Sequence, residues 1–220
     1  MFNDFYHTFY YLLLIFGSVV SLILVLKVNI PFKTLCLLII ITVISELIAK
    51  YISFGLRMNN NIVYHFFVVF EYGLYCLIFH YLLKSEILSK ILVYSFVCLT
   101  MGEVINTVYF QPILQSNTNI LILEALLLVI WSLVLFKKLR EEIDFGNILE
   151  QPVFWFNSIV LVYYTFNILI WGFHSLKIYR LERPPMIIYN INLLLSGVLY
   201  FVFSYAIILQ YLKKSPKIKA

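Results

Sequence analysis

Seven runs of roughly 18 to 25 predominantly apolar residues follow one another along this chain, each separated from the next by a short polar break. A run of that length matches the hydrocarbon thickness of a bilayer when it is helical, and in lipid only a helix or a closed barrel satisfies its own backbone. The runs lie at about 9–26, 33–54, 62–83, 90–110, 118–136, 153–173 and 186–211. The breaks carry loop chemistry, as in Asn29-Ile30-Pro31, Asn59-Asn60-Asn61, Lys84-Ser85-Glu86, Gln115-Ser116-Asn117, Gly146-Asn147 and Pro184-Pro185. All six prolines fall in these breaks, at span ends or in the tail, so the spans are expected to be unbroken by proline. The sequence therefore predicts an all-α integral membrane bundle of seven transmembrane helices. It forms one domain over 1–212, followed by a basic tail over 213–220.

Composition agrees: 63% of residues are hydrophobic and 12% charged, about half the charge of a soluble domain. The first residues, MFNDFYHTFYY, hold no Lys or Arg and no small-residue cleavage pattern, so the first run is expected to be a span rather than a cleaved signal peptide. Cys36, Cys76 and Cys98 all lie in apolar runs and read as core residues without a disulfide framework.

Lys and Arg concentrate on one set of loops. Lys27, Lys33, Lys84, Lys90, Lys137, Lys138, Arg140 and the tail lysines Lys213, Lys214, Lys217 and Lys219 make eleven on one side. Lys50, Arg57, Lys177, Arg180 and Arg183 make five on the other. The positive-inside bias places the N-terminus outside and the C-terminus in the cytoplasm, as a multi-pass protein of the cell inner membrane. The lipid bilayer is then the first partner. The basic tail reads as an anchor to anionic lipid, and the loop placement of the positive charge excludes nucleic-acid binding. Segment 137–151 is the one substantial polar stretch. Its i,i+4 pairs Lys137/Glu141 and Lys138/Glu142 predict that the fifth helix runs about two turns past the membrane, as a solvated end or a surface for a cytoplasmic signalling partner.

Four carboxylates lie inside the spans: Glu46, Glu71, Glu103 and Glu124, each on a different helix. An intramembrane carboxylate costs several kcal/mol unless paired, protonated or hydrated, and so marks a candidate site. At about 1.5 Å per residue, Glu71 comes out roughly 14 Å below the outer face and the other three roughly 9–10 Å. Asn106, Asn167 and Asn190 fall in the same outer half, with His65 shallower. Helical phase puts Tyr64, Glu71 and Tyr75 on one face, and Glu103 with Asn106 on another. It likewise groups Tyr163, Tyr164 and Asn167 on the sixth helix, and Asn192, Ser196 and Tyr200 on the seventh. The expected arrangement is a polar pocket open to the outside. Its candidate ligand-binding residues are Glu71, Glu103, Glu46, Glu124, Asn106, His65, Tyr64, Asn167 and Asn190. The competing reading is that these groups merely hydrogen-bond across helices and hold them together.

A carboxylate cluster suits a metal ion, a proton or an organic amine, and crowded like charges are expected to retain protons while the site is empty. The sequence identifies neither a cofactor nor a metal. Four histidines without a His-x-x-x-His pair, no Gly-x-Ser-x-Gly elbow and no phosphate-binding glycine loop all argue against an enzyme. The seventh span carries no interior lysine for a retinal Schiff base. Seven spans with the N-terminus outside resemble sugar-efflux carriers in count and orientation. Their proline-containing helices and internal repeat are missing here.

The strings Tyr64-His65-Phe66 with Phe70-Glu71-Tyr72, Asn106-Thr107-Val108-Tyr109-Phe110-Gln111-Pro112 and Phe154-Trp155-Phe156-Asn157 resemble an uncharacterised family of small multi-helix membrane proteins from Bacteroidota, over residues 40–175. Members are often encoded near sensor histidine kinases, so the resemblance implies a sensory or signal-relay role with a separate partner. It implies no catalytic activity and no binding residues. A transporter or channel for a cation or small polar solute is the alternative expectation, and a structural subunit of a membrane complex the third.

Overall fold

The structure, a computed structural model, describes residues 2–142, 145–175 and 186–214. Its described residues form seven long helices: α1 Phe2–Leu24, α2 Ile30–Lys50, α3 Asn61–Leu83, α4 Glu86–Tyr109, α5 Thr118–Glu142, α6 Pro152–Ser175 and α7 Met186–Lys214. All seven are long and apolar enough to cross a membrane. The described residues are thus all-helical, and their seven apolar helices suit a multi-pass membrane protein, in keeping with the hydropathy pattern. Lys177, Arg180, Arg183 and Pro184-Pro185, the tail from Ser215 on with Lys217 and Lys219, and the side chains of Glu142, His174 and Lys214 lie outside the described residues. The expected Lys138/Glu142 pair falls there too.

Helix ends follow local chemistry rather than hydropathy. Asn29 Oδ1 accepts from Phe32 N at the start of α2, with Pro31 in the first turn where its missing N–H costs nothing. Ser85 caps α4, which therefore begins at Glu86, several residues before the apolar run does. α3 stops at Lys84, whose φ of 52° is left-handed. The Lys138 ammonium of α5 donates to the Leu82 and Leu83 carbonyls at 2.9 and 2.7 Å and closes that same helix end. α2 does not run regularly to its end: Tyr51–Gly55 is a π-helical turn, followed by Arg57 at φ 54°.

α1 packs extensively on α7, α7 on α6, α6 on α5, and α3 joins α2 to α5. α1 and α7 approach through reciprocal glycines. A Cβ at Gly197 would meet the Phe9 ring at 2.8 Å, and one at Gly17 would meet Ser204 Oγ at 3.0 Å. α4 is peripheral. It packs on α3 and α5, and most of its surface faces outward, including Cys98, which the sequence reading placed in the core. In the half holding the α1 C-terminus the interior is filled by large rings. Phe156 stacks on Phe203 at 5.7 Å and meets Phe79 and Tyr75 at 6.0 and 6.4 Å. The opposite half is hollow.

Candidate functional site

The hollow is a cavity of about 760 Å³, walled by every long helix except α4. That volume is in the range of small-molecule sites. Its mouth lies where α1, α3, α5 and α7 begin and α2 and α6 end, because His7, Lys50, Asn61, Asn117, Trp171 and Tyr189 all border it.

Three of the four glutamates meet there. Glu46 from α2, Glu71 from α3 and Glu124 from α5 all line the cavity. Tyr10 donates to Glu46 Oε1 at 3.3 Å, tying α1 to α2, and Tyr164 donates to Glu71 Oε1 at 3.0 Å, tying α6 to α3. Glu71 keeps intermediate exposure deep in the bundle because it borders the hollow. Glu124 is only 1% exposed, and its Oε1 has no hydrogen-bond partner in the structure. It is interior because its face of α5 turns toward α3 and α6. Glu71 and Glu124 border one space, where like charges repel and a cation would be attracted.

Tyr64 and Asn167 line the same cavity, as expected. So do the phased groups Tyr163 and Tyr164 on α6 and Asn192, Ser196 and Tyr200 on α7. Asn167 accepts from the Trp171 indole at 3.0 Å and donates to the Tyr163 carbonyl at 2.9 Å. Tyr75, predicted on the Glu71 face, is buried below the cavity floor, edge-on to Tyr164 at 5.6 Å. Asn190 is half-buried, its Oδ1 unpartnered, and does not border the cavity.

Glu103, His65 and Asn106 are elsewhere. They do not border the cavity, because α4 stands outside its wall and turns its polar face to α3 and to the loop that follows it. His65 Nδ1 meets Glu103 Oε1 at 2.5 Å, while His65 Nε2 donates to the Gln115 carbonyl at 2.9 Å. Thr107 donates to the same Glu103 oxygen at 3.1 Å. Asn106 donates to Gln111 Oε1 at 3.2 Å and accepts from Asn119 at 3.0 Å. Asn59 and Asn61 each donate to the Leu114 carbonyl, at 2.7 and 2.9 Å. This second polar cluster fastens loop 110–117 across α3, α4 and α5, and that loop delivers Ser116 and Asn117 to the cavity rim. His65 and Glu103 are 4% and 6% exposed, a buried pair set apart from the cavity.

Sequence reasoning missed the contribution of α1. Tyr10 and Tyr11 read as packing or interface aromatics, yet both line the cavity. Lys50 read only as a loop charge. Its ammonium lies 3.5 Å from the centre of the Tyr11 ring, a cation–π contact at the rim. The i,i+4 spacing of Glu46 and Lys50 was the available signal. Ser53 and Phe54 reach the rim from the π-helical turn, which no sequence pattern announced.

Chemically the site offers carboxylates, phenols and amides around one space. Glu124 Oε1 and Asn192 Oδ1 are buried acceptors without donors, and Asn117 Nδ2 is an unpartnered donor at the rim. Among the described residues no group of three or more His, Cys, Asp or Glu is arranged to hold a metal ion. Comparison with protein-family models, curated proteins and solved structures found no match.

Proposed function

We infer that this chain is a receptor-like protein of the cell inner membrane. In this reading it binds a small cationic or polar ligand from the outer side and relays that occupancy to a separate cytoplasmic partner. The observation that carries the reading is a polar cavity of about 760 Å³ open at one end of the bundle and blocked beneath by the rings of Tyr75, Phe79, Phe156 and Phe203. A closed floor suits binding better than conduction. The carboxylates give a cation its counter-charge, and the tyrosines give it ring faces. The Lys and Arg asymmetry orients the mouth outward, and the α5 extension with the polar stretch through 151 is the docking surface on the other side. The resemblance to a family encoded near sensor kinases adds to the sensory reading.

Transport of a cation or small polar solute is the second reading. The π-helical turn at the rim, Tyr51–Gly55, supports it, since such turns interrupt regular helices most often at functional sites. Native mass spectrometry of gently solubilised protein, paired with methylamine uptake into proteoliposomes, separates the two. The receptor reading expects a retained ligand in wild type, its loss in Glu71→Gln, and no protein-dependent uptake. Saturable uptake abolished by Glu71→Gln would replace it with the transporter. Bare, equally folded wild type and variant with no uptake would remove both.

A further inference from the structure

The cavity has a neighbour along its side. A second hollow of about 400 Å³ runs between α1 and α2, and five residues line both: His7, Thr8, Tyr11, Glu46 and Lys50. Past this junction the groove is walled by Leu12, Leu14, Ile15, Val43 and Leu47. Leu12, Ile15 and Leu47 are more than half exposed, so in a bilayer they face hydrocarbon. The change in wall chemistry is abrupt: carboxylates, phenols and amides inside, aliphatic side chains outside. α1 is clamped to α7 by the reciprocal glycines, whereas α1 meets α2 at the junction through polar side chains, Tyr10 and Tyr11 on Glu46 and the Lys50 ammonium over the Tyr11 ring. The groove therefore abuts the cavity on the α1–α2 side.

A solute arriving from water has no use for an aliphatic groove on the lipid face. An amphiphile needs both halves. The interior holds three carboxylates, Glu46, Glu71 and Glu124, against the single lysine Lys50, so the head it suits is a cation. The unpartnered acceptors Glu124 Oε1 and Asn192 Oδ1 call for N–H donors, which an ammonium has and a quaternary nitrogen lacks. A gap between two neighbouring helices admits one hydrocarbon chain.

Building on the ligand-binding reading above, we propose that the ligand is a single-chain amphiphile with an amine head, taken from the bilayer between α1 and α2. Its ammonium rests among Glu71, Glu124 and Asn192, and its chain leaves through the groove past Ile15 and Leu47.

The test uses the full chain in lipid nanodiscs and dodecylamine carrying a diazirine at the far end of its chain. Cross-links are expected on residues 12–15 and 43–47. Excess dodecylamine should suppress them by about tenfold while dodecanol, with the same chain and no charge, should not. Glu71→Gln should abolish the competition. Ile15→Trp with Leu47→Trp, both at exposed positions, should remove the groove cross-links yet leave calorimetric binding of water-soluble butylamine intact. Groove labelling that no amine suppresses, or that dodecanol suppresses equally, would show ordinary lipid contact and overturn the proposal. If butylamine still bound in a Glu71-dependent way, the cavity reading would survive that loss. If butylamine failed to bind wild type, both would fall.

Discussion

Replacing Glu124 by leucine is expected to make the protein more stable while it destroys ligand binding. Glu124 is 1% exposed, and its Oε1 has no donor within reach. A buried polar group left unsatisfied costs about 1–3 kcal/mol relative to a well-paired or apolar replacement. Leucine is close to glutamate in size, so the exchange removes the orphan oxygen without opening a large cavity. For a chain of 220 residues each kcal/mol moves Tm by about 2–4 °C, so a rise of roughly 2–12 °C is expected. Thermal unfolding in one detergent, followed by tryptophan fluorescence and by the fraction surviving size exclusion, reads it directly. The same preparation is assayed for retained ligand. A glutamate kept for function trades stability for a site, whereas one kept to hold helices together would behave the opposite way. A fall in Tm of 5 °C or more on the scale of these per-kcal shifts, about 1–3 kcal/mol, would refute the argument and favour the structural-subunit reading.

His65→Ala should do the reverse, costing about 3–5 kcal/mol by leaving Glu103 buried without its partner, seen as a lowered Tm and protease cleavage in loop 110–117. Gly197→Leu should cost about 1–3 kcal/mol by forcing α7 off Phe9, whereas Gly172→Ala, where a Cβ meets nothing within 4 Å, should be neutral or stabilising in the same unfolding assay. Lys84→Gly should gain about 1 kcal/mol by relieving the left-handed residue that ends α3, with the ligand retained. Tyr164→Phe removes the donor to Glu71, and is expected to weaken ligand retention with a Tm change of about 1 kcal/mol equivalent or less.

Much of the site was legible because helical phase is a local property. Tyr64 with Glu71, Tyr163 and Tyr164 with Asn167, and Asn192 with Ser196 and Tyr200 could be grouped from spacing alone, and all of them border the cavity. What phase cannot say is which neighbour a polar face meets. Glu103 and Asn106 have the same intervals and depth as the cavity residues. Yet α4 packs outside the ring, and they bind His65 and a loop. Tyr10 and Tyr11 were lost for the converse reason: an aromatic in a span looks the same whether it faces lipid, core or cavity.

The sequence by itself determined the number of long apolar helices and the presence of carboxylates within them, because a helix is the one solution in lipid that a segment reaches with its own backbone bonds and a charge in an apolar run is conspicuous. The tertiary structure decided that Glu46, Glu71 and Glu124 share one space and Glu103 does not, that rings close one end of it, and that a groove between α1 and α2 abuts its side. Those outcomes depend on which helices are neighbours. Between helices in lipid that choice is made by shape, through contacts such as Gly197 on Phe9 and Gly17 on Ser204, and shape complementarity is a property of two surfaces at once.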